Sequence, residues 1–482
     1  MPLRPFSRDQ AWLLPPSLDD LVPEDHPARF VAAFVDALDR AAWAELAVAM
    51  GGDPLGAPAY DPRALLSVWL YGFMTGVRSS RKLEMACRDQ VPYLWLTGWQ
   101  HPDHNTLWRF YQGHRQTMRA LFARTVRTAV RVGLVDLAVQ AIDGTRVGAN
   151  AALGRTYDAI GLERLLARTE AAIADLEAQN EAGEDQVPPR LPAELARARV
   201  LRDRIQAVLA EDMDSKAGKQ VNLTDADARL QHTRQGVLLG YNTQVVVAPL
   251  DPTVAPQPGL LLTAVAVVPE TTDTAQLIPL LEQAEALSGQ RAALSLADAG
   301  YHSGANLAAC AERGQQVVIP EPRPHGEDHP YHKDRFDYDE AADTFHCPQG
   351  QTLIFRGYKQ HRKGPPVRQY RAPGRVCRAC PAFRACTRDR HGRTLEVLPF
   401  DAVLRDHRRW MATAAARLLY RRRQGLVEPV FGIFKEQLGL RRFLLRGISA
   451  VRAEAALIAT AFNLRTLYRA WLGSRYFGAA VA

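Results

Sequence analysis

Asp143, Asp298 and Glu428 are the residues of this chain best placed to do chemistry, and their surroundings point to metal-dependent cleavage or transfer of phosphodiesters. Asp143 ends the apolar run Leu-Ala-Val-Gln-Ala-Ile-Asp, and Asp298 ends Ala-Leu-Ser-Leu-Ala-Asp. Glu428 lies in the basic stretch Tyr-Arg-Arg-Arg-Gln-Gly-Leu-Val-Glu-Pro-Val-Phe-Gly-Ile-Phe-Lys. Phosphodiester cleavage requires an activated attacking oxygen, a stabilised leaving oxygen and an offset for the phosphate charge, which two divalent ions roughly 4 Å apart supply together. Hard carboxylate oxygens suit Mg²⁺ (or Mn²⁺), and each ion takes only one or two of them, so three acids suffice. In this reading Asp143 bridges both ions, Asp298 completes one site and Glu428 the other. Arg421, Gln424, Glu428, Phe431 and Lys435 recur at helical spacing, so the carboxylate and the ammonium can address one phosphate. Pro429 requires that this helix start near Glu428 or bend there.

The charge distribution supports a polyanionic partner. The 482 residues include 60 Lys and Arg against 52 Asp and Glu, a net charge of +8. The excess gathers around Glu428, with twelve basic and four acidic residues between Asp401 and Arg452. Nucleic acid is the natural candidate for such a patch. No apolar run approaches the roughly 20 residues of a membrane span, and the N-terminus lacks a signal core, so a cytoplasmic protein is expected.

The elements that must position these acids follow from the hydrophobic pattern. Residues 1–130 read as a helical domain. Asp61-Pro62 is a helix start, and Leu65, Trp69 and Phe73 follow at helical spacing. A break at 76–80 precedes a short helix with Leu83, Ala86 and Cys87 inward, a helix-turn-helix in outline only. A third helix from Asn105-Thr106 would carry Trp108, Arg109, Tyr111, Arg115, Arg119 and Arg124, a mixture suited to phosphate contact, with Arg109 and Arg115 the foremost candidates. From Leu134 the pattern turns to strands at about 135–143, 237–247 and 260–268, with Val147 to Ala151 a candidate hairpin partner for the first. A heptad seam of Leu162, Leu166, Thr169, Ile173 and Leu176, repeated by Leu195, Ala198, Leu201, Ile205 and Val208, predicts a helical hairpin at about 155–212 inserted into that sheet. Helix to about Ser288, strand to Asp298, helix 305–313 and strand 316–320 complete an α/β core over 131–340. Residues 396–482 return to helix and carry Glu428.

Four of the six cysteines fall between these parts. Cys377 and Cys380 have the spacing of a metal knuckle, and Cys386 with the distant Cys347 would complete a tetrahedral thiolate site, which predicts structural Zn²⁺ in a module over 341–395. His346 or His391 could replace one ligand. Arg356, Lys359, Arg362, Lys363, Arg368 and Arg371 would give this module a positive face. Cys87 and Cys310 read as buried core thiols.

Taken together, Ala-Ile-Asp-Gly-Thr at 141–145, Asn-Leu-Thr-Asp-Ala-Asp-Ala-Arg at 222–229, Gly-Tyr-Asn-Thr-Gln at 240–244, Ala-Asp-Ala-Gly-Tyr at 297–301 and the stretch from Tyr420 to Lys435 resemble the DDE transposases of bacterial insertion sequences. The resemblance implies an RNase H-like mixed sheet flanked by helices. It also implies Asp143, Asp298 and Glu428 as catalytic triad, with Tyr420, Arg423 and Lys435 on DNA phosphates. Four residues separate Arg423 from Glu428 where the family signature has three, whereas the spacing to Lys435 is kept. Asp225 and Asp227 lie outside the implied triad and read as structural or DNA-positioning. The implied reaction exposes a 3′-OH by hydrolysis and uses it to attack target double-stranded DNA, with a homodimer on paired ends. A nuclease that cuts without joining, and a silent DNA-binding regulator, are the alternatives.

Overall fold

A computed structural model describes residues 17–50, 58–182, 191–210, 220–233, 236–322, 330–360 and 366–481. Among the described residues seven α-helices come first: α1 (Pro27–Asp36), α2 (Arg40–Glu45), α3 (Pro62–Met74), α4 (Ser80–Asp89), α5 (Val91–Leu96), α6 (His104–His114) and α7 (Arg119–Arg131). Asp61 caps α3 by accepting from Arg63 N–H, with Pro62 at the first helical position as expected. Leu83, Ala86 and Cys87 face inward from α4. The single helix expected from Asn105 onward is two, because the chain breaks after His114 and restarts at Arg119. That break puts Arg119 and Arg124 on a different helix from Arg109.

The main sheet joins β1 (Val139–Gly148), β4 (Arg229–Thr233), β5 (Gly236–Pro249), β6 (Leu260–Val268), β7 (Leu294–Leu296) and β8 (Gln316–Val318). Its order is β4-β5-β1-β7-β8, with β6 also on β5. β5 runs antiparallel to β1, β4 and β6, whereas β1, β7 and β8 are parallel. The expected strand 135–143 and its supposed partner Val147–Ala151 are largely one strand: β1 continues to Gly148 because β5 supplies partners along its whole length, from Ala141↔Val247 to Gly148↔Gly240. Gly240 is required there. A Cβ on it would lie 2.1 Å from the Val147 carbonyl oxygen. Gly240→Ala is expected to lower stability by about 2 kcal/mol or more in urea denaturation, and an unchanged midpoint would disprove this close approach.

A ribbon of β2 (Thr156–Tyr157) with β3 (Val221–Asn222) closes the base of the helix pair α8 (Ala159–Ala182) and α9 (Leu191–Ala210). Leu162, Ile205 and Val208 bury their side chains in a separate small cluster with Val221 and Leu223. α10 (Leu277–Ser288) and α11 (Gly304–Glu312) cover one face of the main sheet with Ile142, Val246 and Ala264. The opposite face shares one continuous hydrophobic cluster with α1, α3 and two C-terminal helices, α14 (Ala414–Gly432) and α15 (Ile448–Val481). Between β8 and α13 (Asp401–Met411) the chain forms a second, antiparallel sheet. Its strands are β9 (Asp337–Asp339), β10 (Thr344–His346), β11 (Thr352–Lys359), β12 (Val367–Arg371) and β13 (Thr394–Val397), with the short α12 (Gly374–Ala379) before β13. No described helix is long and apolar enough to cross a membrane.

Candidate active site

The register of two parallel strands sets the site. β1 and β7 pair up to Ala141↔Leu296, and Asp143 and Asp298 each follow two residues later. Because the register is parallel, the two acids stand side by side where β7 stops and β1 goes on. Strand alternation sends Asp143 to the face of Val139, Ala141 and Val147, the face packed against Val427 and Val430 of α14. Asp143 therefore sits within its strand rather than at its end. Its Oδ1 accepts from Gly144 N–H at 2.8 Å, and Asp298 Oδ1 accepts from Gly300 N–H at 2.9 Å.

Arg423 bridges the pair: its Nη2 is 2.8 Å from Asp143 Oδ2 and 3.7 Å from Asp298 Oδ2. Burial nevertheless raises the Asp143 carboxyl to about 6, opposed by Arg423 and reinforced by the charges of Asp298 and Asp273. One guanidinium is thus insufficient compensation for the clustered acids. Tyr420, one turn before Arg423, is half-buried beside them; burial raises its phenol, and the charges of Asp298 and Asp143 add to that rise.

Glu428 and Lys435 are placed differently. Helical geometry turns Glu428 about 140° from Arg423, onto an exposed flank where it accepts from Gln424 Nε2 at 2.9 Å. The helix neither starts at Glu428 nor ends at Pro429. It continues to Gly432 and passes into a π turn, Ile433–Gln437, carrying a half-buried Lys435 whose ammonium burial depresses. The two acids therefore meet Arg423 and Tyr420, and Glu428 stands outside that contact. Among the described residues no three His, Cys, Asp or Glu side chains converge closely enough as they stand to hold an ion. Of the N-terminal arginines, Arg109 is exposed on α6 and Arg115 half-buried at its C-terminus, both on the helical layer rather than at the acids.

A polar layer behind the acids escaped sequence reasoning. Asp273 Oδ1 accepts from Asn242 Nδ2 at 2.6 Å, Gln244 Nε2 at 2.8 Å and Arg146 Nη1 at 3.2 Å. Tyr301 donates to Gln244 Oε1 at 3.1 Å. A Cβ on Gly144 or Gly300 would meet Asp273 oxygens at 3.3 and 3.0 Å. This layer backs the two turns that carry Asp143 and Asp298. The signal was present: Asn242, Thr243 and Gln244 are consecutive buried polar residues in a largely apolar strand. Asp225 and Asp227 have structural partners, Tyr241 Oη at 2.6 Å and Ile448 N–H at 2.8 Å.

The chain carries two transposase domains: one family model, a transposase domain, matches residues 16–113, and another, a transposase DDE domain, matches 346–468. These matches support a DDE transposase of the insertion-sequence type. Asp143 and Asp298 lie between the matched stretches, while Glu428 lies inside the second. No curated protein and no solved structure matches the chain.

Proposed function

We propose that this transposase binds the ends of its mobile element and catalyses divalent-metal-dependent DNA cleavage and strand transfer at Asp143 and Asp298, with Glu428 as third acid. The observation that carries this reading is the parallel-strand pair of carboxylates within reach of one guanidinium nitrogen. We read the sheet order, three antiparallel strands joined to a parallel trio through β1, as RNase H-like.

The donor set fits a hard divalent cation such as Mg²⁺ or Mn²⁺. Two carboxylates face one another, and the buried one is disfavoured as an anion with only Arg423 beside it. When bound, such ions activate the attacking oxygen and offset charge on the leaving one. Asp143, within β1, and Asp298, just past the end of β7, would hold them, backed by the Asp273 layer. Arg423 and Tyr420 lie against the acids and are placed to meet a phosphate entering there. Lys435, on the flank of Glu428, would hold a neighbouring phosphate, and the basic surface of α13 and α14 would track the duplex. Glu428 reaches the pair only with movement of its side chain or of α14, which DNA binding would supply. Two copies, one per element end, would act together on cytoplasmic DNA.

Incubation with Mg²⁺ and DNA carrying the sequences that flank the gene tests the reading. Nicked ends joined to a target plasmid are expected. Cleavage without joining reduces the activity to a nuclease, and binding alone removes catalysis. Glu428→Gln is expected to cut cleavage by about 10³-fold or more with end binding within a few-fold of wild type by gel shift. Retained cleavage would exclude Glu428 from the site.

A further inference from the structure

We propose that Cys347, Cys377, Cys380 and Cys386 hold one structural zinc ion that fastens the second sheet together. This sheet has little else to stabilise it. Its buried apolar cluster comprises Phe336, Phe345, Leu353, Tyr370, Ala372, Cys377 and Leu395, a core small enough that domains of this size usually add a metal or a disulfide. All six cysteines of the chain are free thiols.

The fold brings the four cysteines to the lining of one cavity from three separate segments. Cys347 follows β10, Cys377 lies in α12, Cys380 caps it, and Cys386 follows a tight turn in which its N–H bonds Ala382 O at 2.8 Å. All four line a single cavity of about 20 Å³, room for one ion or one water. Neither His346 nor His391 lines it, so the structure favours four thiolates over the histidine alternatives. Two backbone amides already point at sulfur: Gln351 N–H donates to Cys347 Sγ at 3.2 Å, and Arg393 N–H to Cys377 Sγ at 3.3 Å. Such N–H donors favour the thiolate and orient it for a metal. Four such ligands without an open position select tetrahedral zinc in a purely structural role, with sulfurs drawn in to about 2.3 Å. As they stand the four side chains are not drawn in to that distance.

Some of the basic residues of this module are engaged within it. Arg368 pairs with Asp343 at 2.5 Å and lies over the Phe355 and Tyr370 rings, Lys359 pairs with Glu396 at 2.6 Å, and Arg371 bonds Thr394 Oγ1 at 2.8 Å. Three of the residues expected to form a positive face thus have partners within the module, Arg356 is exposed, and Arg362 and Lys363 lie outside the described residues.

The test is elemental analysis of the full chain purified without chelator. About one zinc per chain is expected after gel filtration. Cobalt(II) exchanged into the wild-type protein should give the visible d–d bands and sulfur charge-transfer absorption of a tetrahedral thiolate site. Cys347→Ser and Cys386→Ser should each lower zinc content several-fold and raise amide exchange across 331–397. A metal-free chain whose 331–397 amides are nonetheless protected, or a cobalt spectrum without thiolate charge transfer, would overturn the site. Neither readout involves DNA, so the result is independent of whether transposition is observed.

Discussion

Asp143→Asn is expected to abolish DNA cleavage, by about 10³-fold or more, while leaving the protein at least as stable as wild type at neutral pH. The two effects have one cause. Asp143 is buried beside Asp298 and Asp273, and its carboxyl is raised from 3.8 to about 6 chiefly by desolvation. Between those values the folded chain keeps a proton that the unfolded chain has lost, so this group's contribution to stability falls as pH rises through the window. Above about pH 6 the carboxylate is a standing cost, and it is the charged form that the reaction requires. Asparagine keeps the shape and an oxygen for the Gly144 N–H bond but cannot ionise.

The gain is expected to be on the order of 1 kcal/mol, less than the whole shift implies, because Arg423 loses its nearest partner and keeps only Asp298 at 3.7 Å. Denaturant unfolding at pH 7.5 should show the variant equal to or above wild type, with the difference shrinking toward pH 4. Cleavage of element-end DNA in Mg²⁺ should be undetectable in the same preparation. A variant that loses activity by unfolding, or that cleaves within tenfold of wild type, would show that Asp143 is not a catalytic carboxylate held at the expense of stability.

The elements with strong local patterns were legible in the sequence: α3 with its cap, the helix pair α8 and α9 with its heptad seam, β6, α10 and α11 all fall within a few residues of expectation. Long-range pairing was not. Nothing local in Asp143-Gly144-Thr145-Arg146 says that β5 pairs with β1 through Gly148, and so the strand seemed to end at the acid. The orientation of residues on α14 was not legible either. Spacing toward Lys435 favoured Glu428, but which helix face meets the sheet depends on the burial of Val427 and Val430, and that face carries Arg423. Asp273 drew no role from the sequence because its partners, Arg146, Asn242 and Gln244, are assembled only by the sheet register.

The largest effect on the fold is expected from Arg78→Ala, at about 3–5 kcal/mol of lost stability. Arg78 lies just before α4, where Gly76 takes φ +80° to turn the chain. Its side chain, 7% exposed, meets Glu454 of α15, 2% exposed, at 2.6 Å. It also donates to the carbonyls of Gly439 and Arg442, in the segment that follows Lys435. Glu454 in turn accepts Leu444 N–H at 3.0 Å and Leu445 N–H at 3.0 Å. One ion pair thus ties the N-terminal helices, the loop after the active-site helix and the C-terminal helix into one body. Removing the arginine strands a buried carboxylate and two carbonyls, which costs far more than an exposed pair would. Burial already raises the Glu454 carboxyl against the pull of Arg78. Without Arg78 it rises further, so the folded variant takes up a proton that the unfolded chain does not, and the destabilisation should shrink as pH falls. Urea denaturation at pH 8 and pH 5 measures this directly. Arg78→Met combined with Glu454→Leu, which removes both charges and keeps apolar volume, should recover most of the loss. If the double variant is no better than Arg78→Ala, the cost lies in the abandoned Gly439 and Arg442 carbonyls, and the ion pair is not what holds these three segments together.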